Sequence, residues 1–334
     1  MPVFGFQTAA ASCNSDEKAP VVVGTGFFIS SKGHIITIAD VVNKAQCIWV
    51  EYNGIHHPAE LVGFDNITNI AVIRLCHPPL GIPFFHLGEC MEIPYPSIML
   101  LAITCKLGMG PGPSTGMVTG LHTDFFNKTF PTTYLRSNIS SDGGEGGSPV
   151  FDLEGRFIGV MIISIGEIRS SFIIPARAVK RVCDELVCSG KVSYAFLGIE
   201  IDKRSNMASA PYLIIEKIIE GSPAHDAGIK NGDKILEFND IPINHVMDLH
   251  NATFFSHPGQ LITLKIQRGD RELKLTIQLK EQTDSLYSTS IKAERQDQGS
   301  PLIQTDFSTS QDALREVKEN TPKSNSWLNH FQTE

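Results

Sequence analysis

The 334 residues exceed one typical domain, and the 42% apolar share supplies a sizeable core. A net charge of −8 without a basic stretch argues against nucleic-acid backbone binding as a main role. No apolar run reaches the roughly 18 residues that a membrane helix needs, so no membrane span is expected.

The N-terminus, MPVFGFQTAAASCNSDEK, has no basic region, no Arg and no long apolar stretch, so it reads as neither a secretory nor a transit signal. The seven cysteines are odd in number and contain no C-x-x-C, which predicts free, mostly buried thiols in a reducing compartment. Both features point to the cytosol or nucleus. From about residue 20, short apolar runs alternate with Gly, Pro, Asn and Asp. They include 26–30, 34–38, 48–52, 70–75, 98–103 and 157–162. Runs this short and rich in β-branched residues predict strands. Ser30-Ser31-Lys32-Gly33 predicts a hairpin turn. Pro175 and the spacing of Ala178, Val179, Val182, Leu186 and Val187 predict a helix that Gly190 stops.

Strand-like runs return at 213–219, 234–238, 261–267 and 273–279, with helical periodicity from Val246 to Phe255. The expected organisation is a β-rich domain over 20–190, a smaller β-rich domain with two helices over 195–281, and a disordered tail over 282–334. Gln311 to Glu319 predicts a transient helix, and Trp327 and Phe331 mark a candidate interaction spot. The histidines His56, His57, His77 and His86 match no metal-ligand spacing, so no metal and no cofactor is expected.

Three segments carry chemistry. Gly24-Thr25-Gly26-Phe27-Phe28-Ile29-Ser30-Ser31-Lys32-Gly33-His34 leads into Ile38-Ala39-Asp40-Val41-Val42. Asp65-Asn66-Ile67-Thr68-Asn69-Ile70-Ala71-Val72-Ile73 comes next, and then Gly144-Glu145-Gly146-Gly147-Ser148-Pro149. In this order and spacing they resemble the protease domain of HtrA/Deg (protease Do-like) serine proteases, and Phe172-Ile173-Ile174-Pro175 matches its closing strand. The resemblance implies a mainly β fold, a trypsin-like double β-barrel with the active site between the barrels. It places the catalytic His position at Asp40, the orienting Asp position at Asn69 and the nucleophile position at Gly146.

In a Ser-His-Asp triad the His takes the Ser proton and the Asp holds the His tautomer. Gly146 offers no nucleophile, Asp40 is a short and weak base at neutral pH, and Asn69 carries no charge. Losing the nucleophile alone costs about 10⁶-fold in turnover. Ser148 is the one outside candidate for a shifted nucleophile, with Ser140 and Ser141 upstream, but no His falls at a matching position.

The second domain resembles an HtrA-type PDZ domain. Phe196-Leu197-Gly198-Ile199 matches its carboxylate-binding loop, and Gly221-Ser222-Pro223-Ala224 and Ala227 to Ile235 match its next turn and strand. The resemblance implies capture of peptide or protein C-termini by loop N–H groups while the peptide adds a strand. Two functions fit these residues: a non-catalytic homologue that binds peptides or unfolded chains, or an active endopeptidase with a shifted nucleophile. The family further implies homo-trimers, or hetero-trimers with active relatives.

Overall fold

The structure, a computed structural model, describes residues 6–11, 22–43, 45–88, 96–105, 110–125, 128–139, 144–165, 168–202 and 212–282. The tail beyond residue 282, with its expected helix at 311–319 and Trp327 and Phe331, lies outside the described residues, as do Ser140 and Ser141.

The first runs become strands because branched apolar residues fill a pleated surface against neighbours. Strands β1 (Phe6–Ala11), β2 (Val22–Phe28), β3 (His34–Ile38), β4 (Cys47–Tyr52), β5 (Ile55–Asp65) and β6 (Ile70–Leu75) close a barrel in the order β1-β2-β3-β6-β5-β4. Ile36 faces Val72 and Ile38 faces Ile70 across β3 and β6. Ile35, Ile36, Val50, Val72 and Ile73 are all buried in one apolar core. One turn of helix, α1 (Ala39–Val42), comes directly after β3. The periodicity does not announce it, because four residues are too few to show a period.

Strands β7 (Met99–Cys105), β8 (Pro111–Phe125), β9 (Lys128–Ser137), β10 (Pro149–Asp152), β11 (Phe157–Ile165) and β12 (Ser170–Pro175) close a second barrel, ordered β10-β11-β12-β9-β8-β7. Helix α2 (Ala176–Ser189) then buries Ala178, Val179, Val182 and Leu186, while Val187 stays outside at 46% exposure. The Gly190 N–H donates to the Leu186 carbonyl at 2.9 Å and ends the helix.

The second module contains β13 (Ala195–Phe196), β14 (Ile199–Ile201), β15 (Leu213–Ile218), α3 (Pro223–Asp226), β16 (Lys234–Phe238), β17 (Ile241–Pro242), α4 (Val246–Phe254), β18 (Leu261–Arg268), β19 (Arg271–Gln278) and β20 (Lys280–Glu281). Its sheet runs β14-β15-β16-β18-β19, so β14 is an edge, and β13 pairs with β20. Leu213, Ile215, Ile235, Leu264 and Ile266 form its own core.

Helix α4 ties this module to the barrels. The Asn251 Oδ1 accepts from Thr132 Oγ1 (2.7 Å), Thr133 N–H (3.0 Å) and Thr133 Oγ1 (3.2 Å) on β9. Both threonines are buried, so their polar groups depend on this partner. Phe254 packs into the barrel-side core, under the Arg181 guanidinium at 4.5 Å. Tyr194 donates its hydroxyl to the buried Asp65 carboxylate at 2.5 Å. Burial, with that carboxylate beside it, pushes the phenol well above its usual value. Asn251→Ala orphans the buried Thr133 N–H and is expected to cost about 2 kcal/mol in urea unfolding. An unchanged midpoint would show that the contact contributes nothing.

Candidate functional site

Of the three positions that the motifs single out, Asp40 and Asn69 are in contact, and Gly146 approaches Thr25 and Ile38 of the first barrel. Asp40 stands in the first turn of α1, and Asn69 closes the turn between β5 and β6. Asn69 has a φ of 61°, a left-handed conformation that Asn tolerates better than most residues. Its backbone carbonyl accepts from Ala39 N–H at 3.0 Å, and its Oδ1 accepts from Asp40 N–H at 3.0 Å. Its Nδ2 donates to Asp40 Oδ2 at 2.8 Å. The two replacements therefore fit each other: an amide donor stands where a second carboxylate would repel Asp40. The pair pins the start of α1 and holds no imidazole.

Gly146 lies in the turn before β10, with its carbonyl accepting from Thr25 N–H at 2.8 Å. A Cβ on Gly146 would stand 2.4 Å from Ile38 Cδ1 and 3.3 Å from Ile38 Cγ1. The close atom is the terminal methyl of Ile38, a buried side chain whose end would have to turn aside for any side chain at position 146. Nothing in the sequence marks Ile38 as part of the site beyond its place two residues before Asp40.

Ser148 is fully buried, and its Oγ donates to the Glu145 carbonyl at 2.6 Å. Its N–H donates to the same carbonyl at 3.0 Å, which makes it a turn residue here. His34 sits on β3 with its Nδ1 2.8 Å from Ser30 Oγ. Burial, with Arg74 and Lys32 nearby, holds that imidazole below its usual value. His56 and His57 lie side by side on β5, facing Glu51 and Val50 of β4. Among the described residues no group of His, Cys, Asp and Glu is arranged to hold a metal.

The second site is the loop Phe196-Leu197-Gly198-Ile199, between β13 and the edge strand β14. The Leu197 carbonyl accepts from Ala224 N–H at 3.0 Å, and the Gly198 carbonyl accepts from Ile219 N–H at 3.0 Å. Both carbonyls are thereby turned back into the fold. The N–H groups of Leu197 and Gly198 donate to no backbone carbonyl among the described residues. Gly198 is required twice over. Its φ is 84°, and a Cβ there would lie 2.1 Å from Ser222 Cβ.

Residues 24–160 match the model of a trypsin-like peptidase domain, and residues 195–279 match that of a PDZ domain. A probable DegP-like periplasmic serine endoprotease of Chlamydia muridarum is 26% identical over 273 residues, covering 78% of this chain and 54% of that protein. The pH-dependent periplasmic endoprotease DegQ of Escherichia coli is 24% identical over 279 residues, covering 80% of this chain and 61% of DegQ. The chain thus spans about half to three-fifths of these curated relatives. Among solved structures, a serine endoprotease from Yersinia pestis superposes with a TM-score of 0.61 at 24% identity, over 84% of this chain and 94% of that one. The HtrA-type protease AlgW with a tripeptide gives 0.67 at 19% identity, over 84% and 94%.

The relatives' periplasmic description overturns the expectation of the cytosol or nucleus. The thiol reading behind that expectation holds only in part. Cys105 and Cys183 are free and buried and Cys76 and Cys188 free and exposed, but Cys47 is disulfide-bonded. A disulfide belongs to an oxidising environment, which an odd cysteine count does not exclude. The chain thus joins a trypsin-like peptidase domain to a PDZ domain and is similar, over about four-fifths of its length, to DegP-like endoproteases.

Proposed function

We propose that this chain is a non-catalytic HtrA/Deg homologue that captures peptide or protein C-termini, including those of unfolded polypeptides, through Phe196, Leu197, Gly198 and Ile199. The observation that carries the non-catalytic half is Gly146 itself: this position has no side chain to act as a nucleophile, and a Cβ there would stand 2.4 Å from Ile38 Cδ1. Asp40 and Asn69 are bonded to each other rather than poised around a base. What survives such a loss is binding and backbone polarisation alone.

The capture half rests on the loop. Tied-back carbonyls leave amides to meet a carboxylate, and the open edge of β14 can receive an extended strand. The purified chain is expected neither to cleave fluorescent casein nor to react with a fluorophosphonate probe. Labelling at Ser148, together with cleavage lost in Ser148→Ala, would establish the active-peptidase reading instead.

A further inference from the structure

We infer that Lys280 is a positioning residue for the carboxylate loop, holding from behind the turn against which the loop is formed. The inference rests on the peptide-capture reading and adds a residue outside the loop to it. Lys280 lies on β20, opposite Phe196 on β13, at the point where the chain enters the loop. Its backbone is anchored by its neighbour Leu279, which is buried and donates its N–H to the Gln260 carbonyl at 2.9 Å. Its Nζ donates to the Gly221 carbonyl at 2.9 Å and to Asp226 Oδ2 at 2.9 Å. One side chain therefore joins the strand before the loop, the turn at Gly221 and helix α3.

That turn is what shapes the loop. Ser222 donates its hydroxyl to the Gly198 carbonyl at 3.3 Å, and its own N–H goes to the Ile219 carbonyl at 3.2 Å. Ile219 and Ala224, on either side, hold the Gly198 and Leu197 carbonyls. The contact is close enough that Gly198 tolerates no side chain against Ser222. If Gly221 moves, the donors that turn the loop carbonyls inward move with it, and the outward amides lose their common direction. The Lys280 hydrogen bond also holds the Asp226 carboxyl below the usual carboxylate range, as expected of a formed pair.

Lys280 and Asp226 are each more than half exposed, so the pair contributes little to global stability. The effect expected of it is local. The test uses the full chain and two fluorescein-labelled peptides with an apolar C-terminal residue, one a free acid and one its C-terminal amide. Wild type is expected to prefer the free acid by at least about tenfold, because charge-assisted hydrogen bonds to the loop amides are lost in the amide. Lys280→Met is expected to cut that preference by about fivefold, with amide affinity and melting temperature unchanged. Lys280→Arg is expected to retain it. Hydrogen exchange at Ile219 and Ala224, whose N–H groups hold the loop carbonyls, should quicken in Lys280→Met in the peptide-free chain. A variant with full preference for the free acid overturns the role of Lys280 alone. A wild-type chain that does not distinguish the two peptides overturns the capture reading and this inference together.

Discussion

Gly146→Ser is expected to leave the chain without peptidase activity and to make it less stable. The new Cβ would meet Ile38 Cδ1 at 2.4 Å, so the end of that buried side chain must turn into its neighbours. Overpacking of this kind costs about 1–3 kcal/mol. The hydroxyl would then have no imidazole to take its proton, and catalysis by a lone Ser stays near the background left by binding alone. Asn69→Asp alone is expected to be worse than neutral, since it replaces the donor to Asp40 with a second carboxylate at about the same 2.8 Å. Recovery requires the positions to be changed together: Asp40→His, Asn69→Asp and Gly146→Ser, with Ile38→Ala to clear the space. That combination is expected to raise casein turnover by at least about 10³-fold over wild type, out of the roughly 10⁶ a triad supplies. Casein release and fluorophosphonate labelling at the new serine measure it. Robust cleavage by Gly146→Ser alone would overturn this account.

Gly198→Ala is expected to abolish most peptide binding while the barrels stay folded. The loop backbone at φ 84° is strained for Ala, and the added methyl would overlap Ser222 Cβ at 2.1 Å and its Oγ at 2.4 Å. The loop must shift, and with it the amides that would receive a carboxylate. A cost of about 2 kcal/mol corresponds to roughly a 30-fold weaker Kd. Fluorescence anisotropy with a labelled C-terminal peptide reads this directly. Gly198→Ala with wild-type affinity would place peptide capture elsewhere on the chain.

Much of the fold was legible because it is written in local patterns. Runs at 34–38 and 70–75 became β3 and β6, and Gly190 ended α2. The sequence singles out Asp40, Asn69 and Gly146 because each sits inside an ordered motif, and the contact of Asp40 with Asn69 is what the folded chain adds. What was not legible depends on contacts between distant residues. Ile38 reads as one more apolar residue of a strand, and only the folded chain brings its Cδ1 against Gly146. Asn251 reads as a polar residue on a helix, and its meaning lies in Thr132 and Thr133, more than a hundred residues earlier. Lys280 ends a strand pattern and says nothing of Gly221 until the chain is folded. The compartment was misread because cysteine parity carries no pairing information, and Cys47 is bonded.

Phe254 belongs by sequence to the PDZ module and by packing to the barrel side, where Tyr194 and Arg181 close over it. The practical consequence concerns chimeras. A PDZ module grafted from a relative at the Gly190 boundary would leave a hole the size of a phenyl ring under α2 unless it brings its own aromatic residue at this position. It would also strand Thr132 and Thr133 unless an amide replaces Asn251. Exchanges of the loop at 196–199 and its backing turn, with α4 left in place, avoid both losses.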